Sequence, residues 1–334
     1  MDHNLLLLLP LVNIIEFQHK VSHLAKEKIP FFFLIDFELQ HPLVVKLEDA
    51  KSHGLQFDVN GISNFTNASS LNTTPHIKGI PIEKSSFKTR FNNVKEHIHK
   101  GDTFLLNLTF STPLESNHEL QELFFMAKAP YKLHYRDKFV VFSPECFVRI
   151  NNNKIHTYPM KGTIDASVEF AEKKLIADSK ELREHNTIVD LLRNDLSMVA
   201  KQVHVKKFRY IDRIITNAGE ILQTSSEIVG TLPDKWQNDL GRILVKLLPA
   251  GSVSGAPKKK TLEIISKNEN GSRGYYTGVF GVFDGVNLDS AVAIRFIEKK
   301  NDQLFYRSGG GITALSNMDS EYQEIKQKIY VPTV

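Results

Sequence analysis

Three strand-length apolar runs, YYTGVFGVF (275–283), LDSAVAIRFIE (288–298) and QLFYRSG (303–309), follow one another near the C-terminus with only short connectors between them. A parallel neighbour needs a crossover of about a dozen residues or more. These runs must therefore fold as antiparallel hairpins. Earlier runs add PFFFLIDF (30–37), TFLLNLTF (103–110) and KFVVFSPECFVRI (138–150), the last divided into two short strands around Ser143-Pro144. Helical stretches are interleaved in clusters. They run from about Lys88 to His99, Ser179 to Ala200, Asn238 to Leu248, Pro257 to Lys267 and Met318 to Ile329, where Ser316 and Asp319 are placed like a capping box. The pattern predicts an α+β fold of antiparallel sheets with packed helices, and argues against regular βαβ winding. With 334 residues, 41% of them hydrophobic, the chain can bury the core such layers need.

Charge and cysteine content narrow the function classes. A formal net charge of +4 suits an anionic small molecule and does not call for nucleic acid. The single cysteine, Cys146, excludes an internal disulfide framework and a Cys-rich zinc site. It lies in an apolar run and reads as a buried structural thiol in a reducing compartment. The N-terminal MDHNLLLLLPLVNII is too short to span a bilayer and lacks the basic flank and cleavage site of a signal peptide. It reads as a core strand or helix edge, and the expected location is the cytoplasm, with no membrane partner. The Asn-x-Ser/Thr triplets at Asn64, Asn67, Asn72 and Asn107 are then incidental. The polar stretch from about Lys51 to Glu83 is expected to be an irregular connector. Residues 1–84 are read as the N-terminal part of the same domain as a catalytic core at 85–334.

Several constellations carry chemistry. Glu181 and Glu184, and again Glu321 and Glu324, are spaced by three on predicted helices, which puts each pair on one helical face. Either pair alone is also what a solvated face looks like; together they would make an oxygen-rich site for a hard cation such as Mg²⁺. GGGIT (309–313) reads as a glycine turn permitting positive φ or close approach of backbone to an anion, and PAGSVSGAPK (249–258) as a second loop leading into a helix. Arg295 is a cation within an apolar strand and needs an anionic partner, either a structural carboxylate or a substrate. DLLRNDL (190–196) reads as ion-paired helix. Glu145 follows the Ser-Pro bend; it is either a surface carboxylate or a desolvated one suited to general acid catalysis. TYPMKGT places Lys161 between a proline turn and a Gly-Thr pair, where a plain solvated lysine is the bland alternative.

Taken in order, GDTFLLNLTF, FSPECFVRI, TYPMKGT, KELREHNTIVDLLRNDL, LLPAGSVSGAPKKKTLEII, RGYYTGVFGVF, AVAIRF and GGGITALSNMDSEYQEIKQK resemble the chorismate-utilising enzymes over roughly residues 95–329. The resemblance implies two large stacked antiparallel sheets flanked by helices and a Mg²⁺-dependent reaction on chorismate. It also implies an N-terminal region shorter than in longer relatives, whose regulatory amino-acid pocket is reduced or absent. Members of the anthranilate, isochorismate and salicylate type typically carry alanine where this sequence has Lys161. Lysine there marks component I of aminodeoxychorismate synthase, which makes 4-amino-4-deoxychorismate for p-aminobenzoate and folate. The water-activating lysine of isochorismate-type members would fall at position 105, which is Leu105. A further departure is Gln223, where histidine is common.

The roles implied by the resemblance are these. Glu184 and Glu324 hold Mg²⁺, with Glu181 and Glu321 supporting through water. Glu145 protonates the leaving hydroxyl. Lys161, uncharged beside the cation, attacks the ring before ammonia displaces it. Tyr276 and Arg295 hold the side-chain carboxylate with Gly309, Gly311 and Lys328, and Thr163 contacts the substrate. Cys146 belongs to a chorismate motif, so no fused glutaminase is expected and a separate glutamine amidotransferase subunit is the implied ammonia source. The other readings are anthranilate synthase component I, which Lys161 opposes, and a nucleic-acid-binding protein using Lys206-Lys207 and Lys258 to Lys260, which no motif supports.

Overall fold

Strand Phe31–Ile35 shows why one run of the chain is apolar without alternation: all five residues are buried. Phe31, Phe33 and Ile35 join a core shared with Phe17, Trp236 and Leu240, whereas Phe32 and Leu34 join a second core with Phe57, Leu133 and Val141. A strand between two cores must be apolar on both faces. The computed structural model describes residues 12–66, 75–216 and 219–333. The apolar N-terminal run therefore lies mostly outside the described residues, as do the triplets at Asn67 and Asn72.

Among these residues, two nine-stranded antiparallel sheets form the frame. The first runs in the order 160–165, 219–231, 154–157, 146–151, 288–292, 279–283, 31–35 and 43–46, with strand Lys201–Thr216 pairing alongside Gly219–Thr231. The second runs 255–256, 105–116, 303–313, 296–300, 139–143, 131–135, 55–59 and 62–63, with Ile77–Gly79 beside Leu105–Ser116. The α-helices are α1 (Ile14–Lys26), α2 (Lys84–His99), α3 (Leu120–Met126), α4 (Ala171–Ala177), α5 (Ser179–Ser197), α6 (Leu240–Lys246), α7 (Lys258–Asn268) and α8 (Met318–Gln327). The predicted α+β architecture of two large antiparallel sheets with flanking helices is the one found. No helix among the described residues is long and apolar enough to cross a membrane.

Three local expectations are corrected. The stretch 51–83 is not simply irregular: Leu55–Val59 is a strand whose Leu55, Phe57 and Val59 are buried, an alternation hidden by its polar flanks. The three glycines 309–311 lie inside the long strand Gln303–Thr313 and not in a turn. The cap of α8 is Asn317, whose side chain accepts from the Asp319 and Ser320 amides, while Ser316 Oγ accepts from the Thr313 amide.

Candidate active site

The two sheets are joined by adjacent crossovers, and these form the floor of the site. The chain leaves strand Phe139–Ser143 of the second sheet and enters Cys146–Asn151 of the first through Pro144-Glu145. It returns from Leu288–Val292 to Phe296–Lys300 through Ala293–Arg295. Arg295 is therefore not within a continuous strand: it sits at the break, with φ of 53°. Backbone bonds lock the crossovers together, Phe142 N–H to Arg295 O at 3.1 Å and Val292 N–H to Glu145 O at 3.1 Å. Glu145 accepts a 2.5 Å hydrogen bond from the Ser252 hydroxyl. Burial pushes the Glu145 carboxyl above the usual range, against the pull of Ser252, Arg295 and Lys328.

Lys161 owes its position to a bulge. Met160 pairs with Ser225 and Thr163 with Gln223, so the strand carries one residue more than its neighbour at Lys161-Gly162. A bulge re-aims a side chain, and Gly162 accepts the required left-handed backbone at φ 85°. Thr224 donates its hydroxyl to the Lys161 carbonyl and fixes the bulge from the adjacent strand. The Lys161 amine lies 2.8 Å from a Glu184 oxygen.

Two helices bring the acids. α5 begins at Asp178, whose side chain accepts from the Lys180 and Glu181 amides, and it packs through His185, Ile188, Val189 and Leu196. That face leaves Glu181 and Glu184 toward Lys161. α8 packs through Glu321 and Ile325. Glu324 holds Lys328 at 2.7 Å, and the Lys328 amine also donates to Gly309 O at 2.8 Å. The acids feel one another. Burial raises Glu321, and like charges on Glu324 and Glu184 add to the rise. Burial, with Glu184 nearby, likewise raises Glu181. Burial also penalises Glu324, but Lys328 and Lys161 outweigh it and hold this carboxyl below its usual value. Burial and the cations Arg295 and Lys161 pull Lys328 down despite Glu324.

The surroundings of Lys161 favour its charged form. Burial would lower its pKa, but contact with Glu184 and the fields of Glu324 and Glu181 win, and the amine is held above the ordinary lysine range. Desolvation is the largest single influence, and it takes the contact with Glu184 together with the two more distant carboxylates to outweigh it.

Lys161, Glu145, Glu181, Glu184, Glu321, Glu324, Arg295, Lys328 and Gly309 thus form one electrostatically linked group. Tyr276 belongs to its buried edge, with Arg307 stacked 5.0 Å over its ring and burial raising its hydroxyl to about 12. Gly310 lies against Glu321, and Gly311 faces Leu105, which puts position 105 beside the glycine strand. Thr163 is exposed and joins the group only through its strand neighbours. Residue-type reasoning missed Ser252, Thr224 and Lys180, the last 3.8 Å from Glu184; hydroxyls in Gly/Ser loops carry no spacing signal. DLLRNDL is ion-paired: Arg193 holds Asp190 at 2.6 Å, and Asp195 meets Lys258 at 3.2 Å. Lys206 pairs with Glu227 at 3.0 Å and Lys260 with Glu263 at 3.4 Å, so with Lys258 three of the basic residues considered for nucleic acid are already ion-paired.

The residues fit a hard divalent cation in chemistry and charge. All four donors are carboxylates, two have raised pKa values from mutual repulsion and burial, and Glu181 Oε2 is buried without a hydrogen-bond partner. Among the described residues no three His, Cys, Asp or Glu side chains stand together as a group that could hold a metal ion; Lys161 holds Glu184 at 2.8 Å.

Known proteins share this arrangement of chain. The family described as chorismate binding enzyme matches residues 16–333. An uncharacterized PabA-like protein of Haemophilus influenzae is 52% identical over 319 residues, covering 95% of this chain and 96% of that protein. Anthranilate synthase component 1 of Aquifex aeolicus is 34% identical over 262 residues, 73% of this chain and 51% of that protein, about half its length. The menaquinone-specific isochorismate synthase MenF of Escherichia coli has the same fold, with a TM-score of 0.72 over 94% of this chain and 80% of that one at 17% identity. Anthranilate synthase component I of Streptococcus pneumoniae superposes with a TM-score of 0.64 over 77% of this chain and 59% of that one, at 26% identity. The chain belongs to the chorismate binding enzyme family.

Proposed function

We propose that this protein aminates chorismate with ammonia to give 4-amino-4-deoxychorismate, as component I of an aminodeoxychorismate synthase. The observation that carries the reading is the Lys161 amine, aimed by a bulge into the acids of α5 and α8. The PabA-like names of relatives 52% identical to this chain point the same way. An anthranilate synthase reading draws on the 34% identical relative, but it gives Lys161 no task.

Glu184 and Glu324 would hold Mg²⁺, with Glu181 and Glu321 supporting them. When bound, Mg²⁺ supplies electron withdrawal from the ring carboxylate, which eases departure of the ring hydroxyl. Arg295 and Lys328 supply positive charge for the other carboxylate, with Tyr276, Gly309 and Gly311 around it and Thr163 at the exposed side. Glu145, whose burial favours the protonated form, gives its proton to the leaving oxygen, which departs as water. Lys161 attacks the ring as a neutral amine, which requires Glu184 to turn away from it; burial then favours loss of the proton. Ammonia then forms a bond to the carbon that lost its hydroxyl as the lysine–ring bond breaks, and the lysine leaves as an amine. Cys146 is buried and offers no glutaminase nucleophile; a glutamine amidotransferase subunit would supply the ammonia.

Product identification after incubation with chorismate, Mg²⁺ and ammonium tests this. 4-Amino-4-deoxychorismate is expected. Accumulation of anthranilate would overturn the lysine argument and leave only the family.

A further inference from the structure

We propose that Ser252 is a positioning residue for Glu145, fixing which carboxyl oxygen carries the transferable proton. The inference rests on Glu145 being the general acid. The Ser252 hydroxyl donates to Glu145 Oε1 at 2.5 Å. An oxygen that accepts a donated hydrogen bond is a poor place for the acid's own proton, so the proton is directed to Oε2. Ser252 is itself held firmly. It lies in the short turn Gly251–Val253, whose Val253 carbonyl accepts from both the Asn107 amide group and the buried Arg273 guanidinium, at 3.1 and 2.7 Å. Arg273 is anchored in turn by Glu269 at 2.6 Å. On the other side, the Glu145 amide donates to Ser143 Oγ at 3.1 Å. Behind Glu145 and Ser252 is a cavity of about 20 Å³, walled largely by Phe147, Val148, Leu192 and Leu196. That is room for about one water, and the hydrogen bond at this oxygen comes from Ser252. Arg295 from the second crossover and Lys328 at the end of α8 act on Glu145; the adjacent Cys146 thiol feels its charge, and Asp195 of α5, paired with Lys258, lines the same cavity.

The test uses Ser252→Ala, Ser252→Thr and Glu145→Gln, with kcat and KM followed against pH and the Glu145 carboxyl band followed by infrared difference spectroscopy. Ser252→Ala is expected to lower kcat roughly 10- to 100-fold, with KM for chorismate within about twofold. A general acid must be protonated, so activity falls as pH rises through its pKa. Losing a hydrogen bond to the carboxylate raises that pKa, and the alkaline limb moves upward. Ser252→Thr keeps a hydroxyl and restores both limb and rate. The band that disappears in Glu145→Gln should move to higher frequency in Ser252→Ala. Unchanged limb and band in Ser252→Ala, with Glu145→Gln inactive, overturn the role of Ser252 and leave that of Glu145 intact. A fully active Glu145→Gln overturns the acid assignment and the inference with it.

Discussion

The floor of the site and its rim are built on different principles. Glu145 and Arg295 sit on neighbouring strand crossovers that exchange backbone hydrogen bonds between the two sheets. Their positions follow from sheet pairing and need no ligand. The rim consists of Lys161 and four glutamates from a bulge and two helices, all on long side chains. Their positions follow from charge balance: Lys161 sits on Glu184, Lys328 on Glu324, and Glu181 and Glu321 are left with raised pKa values. A preformed floor suits proton transfer, which is sensitive to distance. A rim whose charges rearrange suits a group that must be charged at rest and neutral during attack.

The largest expected effect separates the two regions. Glu145→Gln and Lys161→Ala should each lower amination by roughly a hundredfold or more, measured by product formation. Their stability effects should differ in sign. Glu145→Gln replaces a buried carboxyl, whose charged form burial disfavours, by a neutral group of the same shape, and its metal-free melting temperature should hold or rise. Lys161→Ala leaves Glu184 without its 2.8 Å partner, and the metal-free protein should melt earlier. Equal stability changes in the two variants would erase the distinction between floor and rim.

A smaller effect comes from Glu181 and from Glu321, the latter hydrogen-bonded by Ser316. Glu181 and Glu321 have folded pKa values above the ordinary one. Their contribution to stability is present below the unfolded value of about 4.3 and is lost as pH rises through the raised folded values. Glu324 is opposite: its contribution is present above the unfolded value and is lost as pH falls through its lowered one. The double change Glu181→Gln, Glu321→Gln should therefore raise the metal-free melting temperature at pH 7 by about 2 °C. The gain should fade toward pH 4. Added Mg²⁺ should raise the melting temperature of the unaltered protein and do much less for the double variant. A loss of stability at pH 7 in the double variant would mean that these acids are satisfied at rest.

Much of this was legible in the residues, for stated reasons. Glu-x-x-Glu on a helix fixes a shared face whatever the tertiary structure, so both pairs could be named. Phe31–Ile35 is apolar at every position and could only be buried. Arg295 was less legible: AVAIRF has no glycine or proline to mark the crossover, and its alternation runs on as if one strand continued. The glycines 309–311 were ambiguous because glycine serves both positive φ and close approach; here the second applies, with Leu108 O only 2.8 Å from where a Gly309 Cβ would lie. The lysine of TYPMKGT could be singled out, yet the bulge that aims it depends on pairing with residues about sixty positions away. The charge state of Lys161 depends on three carboxylates from two helices, which no local pattern contains.

The smallest expected effect compares two glycines of the rim. Gly162 stands at φ 85°, and a Cβ there would lie 2.9 Å from Glu181 Oε2. Gly162→Ala meets both backbone strain and a crowded acid, and should cost about 1–2 kcal/mol in denaturant unfolding, with loss of amination because Lys161 shares the bulge. Gly310 has no positive φ, and its Cβ would meet Glu321 Oε2 at an ordinary 3.4 Å. Gly310→Ala should change stability by no more than about 0.5 kcal/mol. The strand beneath Gly310 is fixed by pairing with Leu105–Ser116, so a methyl group can be absorbed by the acid above it. If Gly310→Ala proved as damaging as Gly162→Ala, the glutamates of α8 would have to be as rigid as the crossovers, and charge balance alone could not be what positions them.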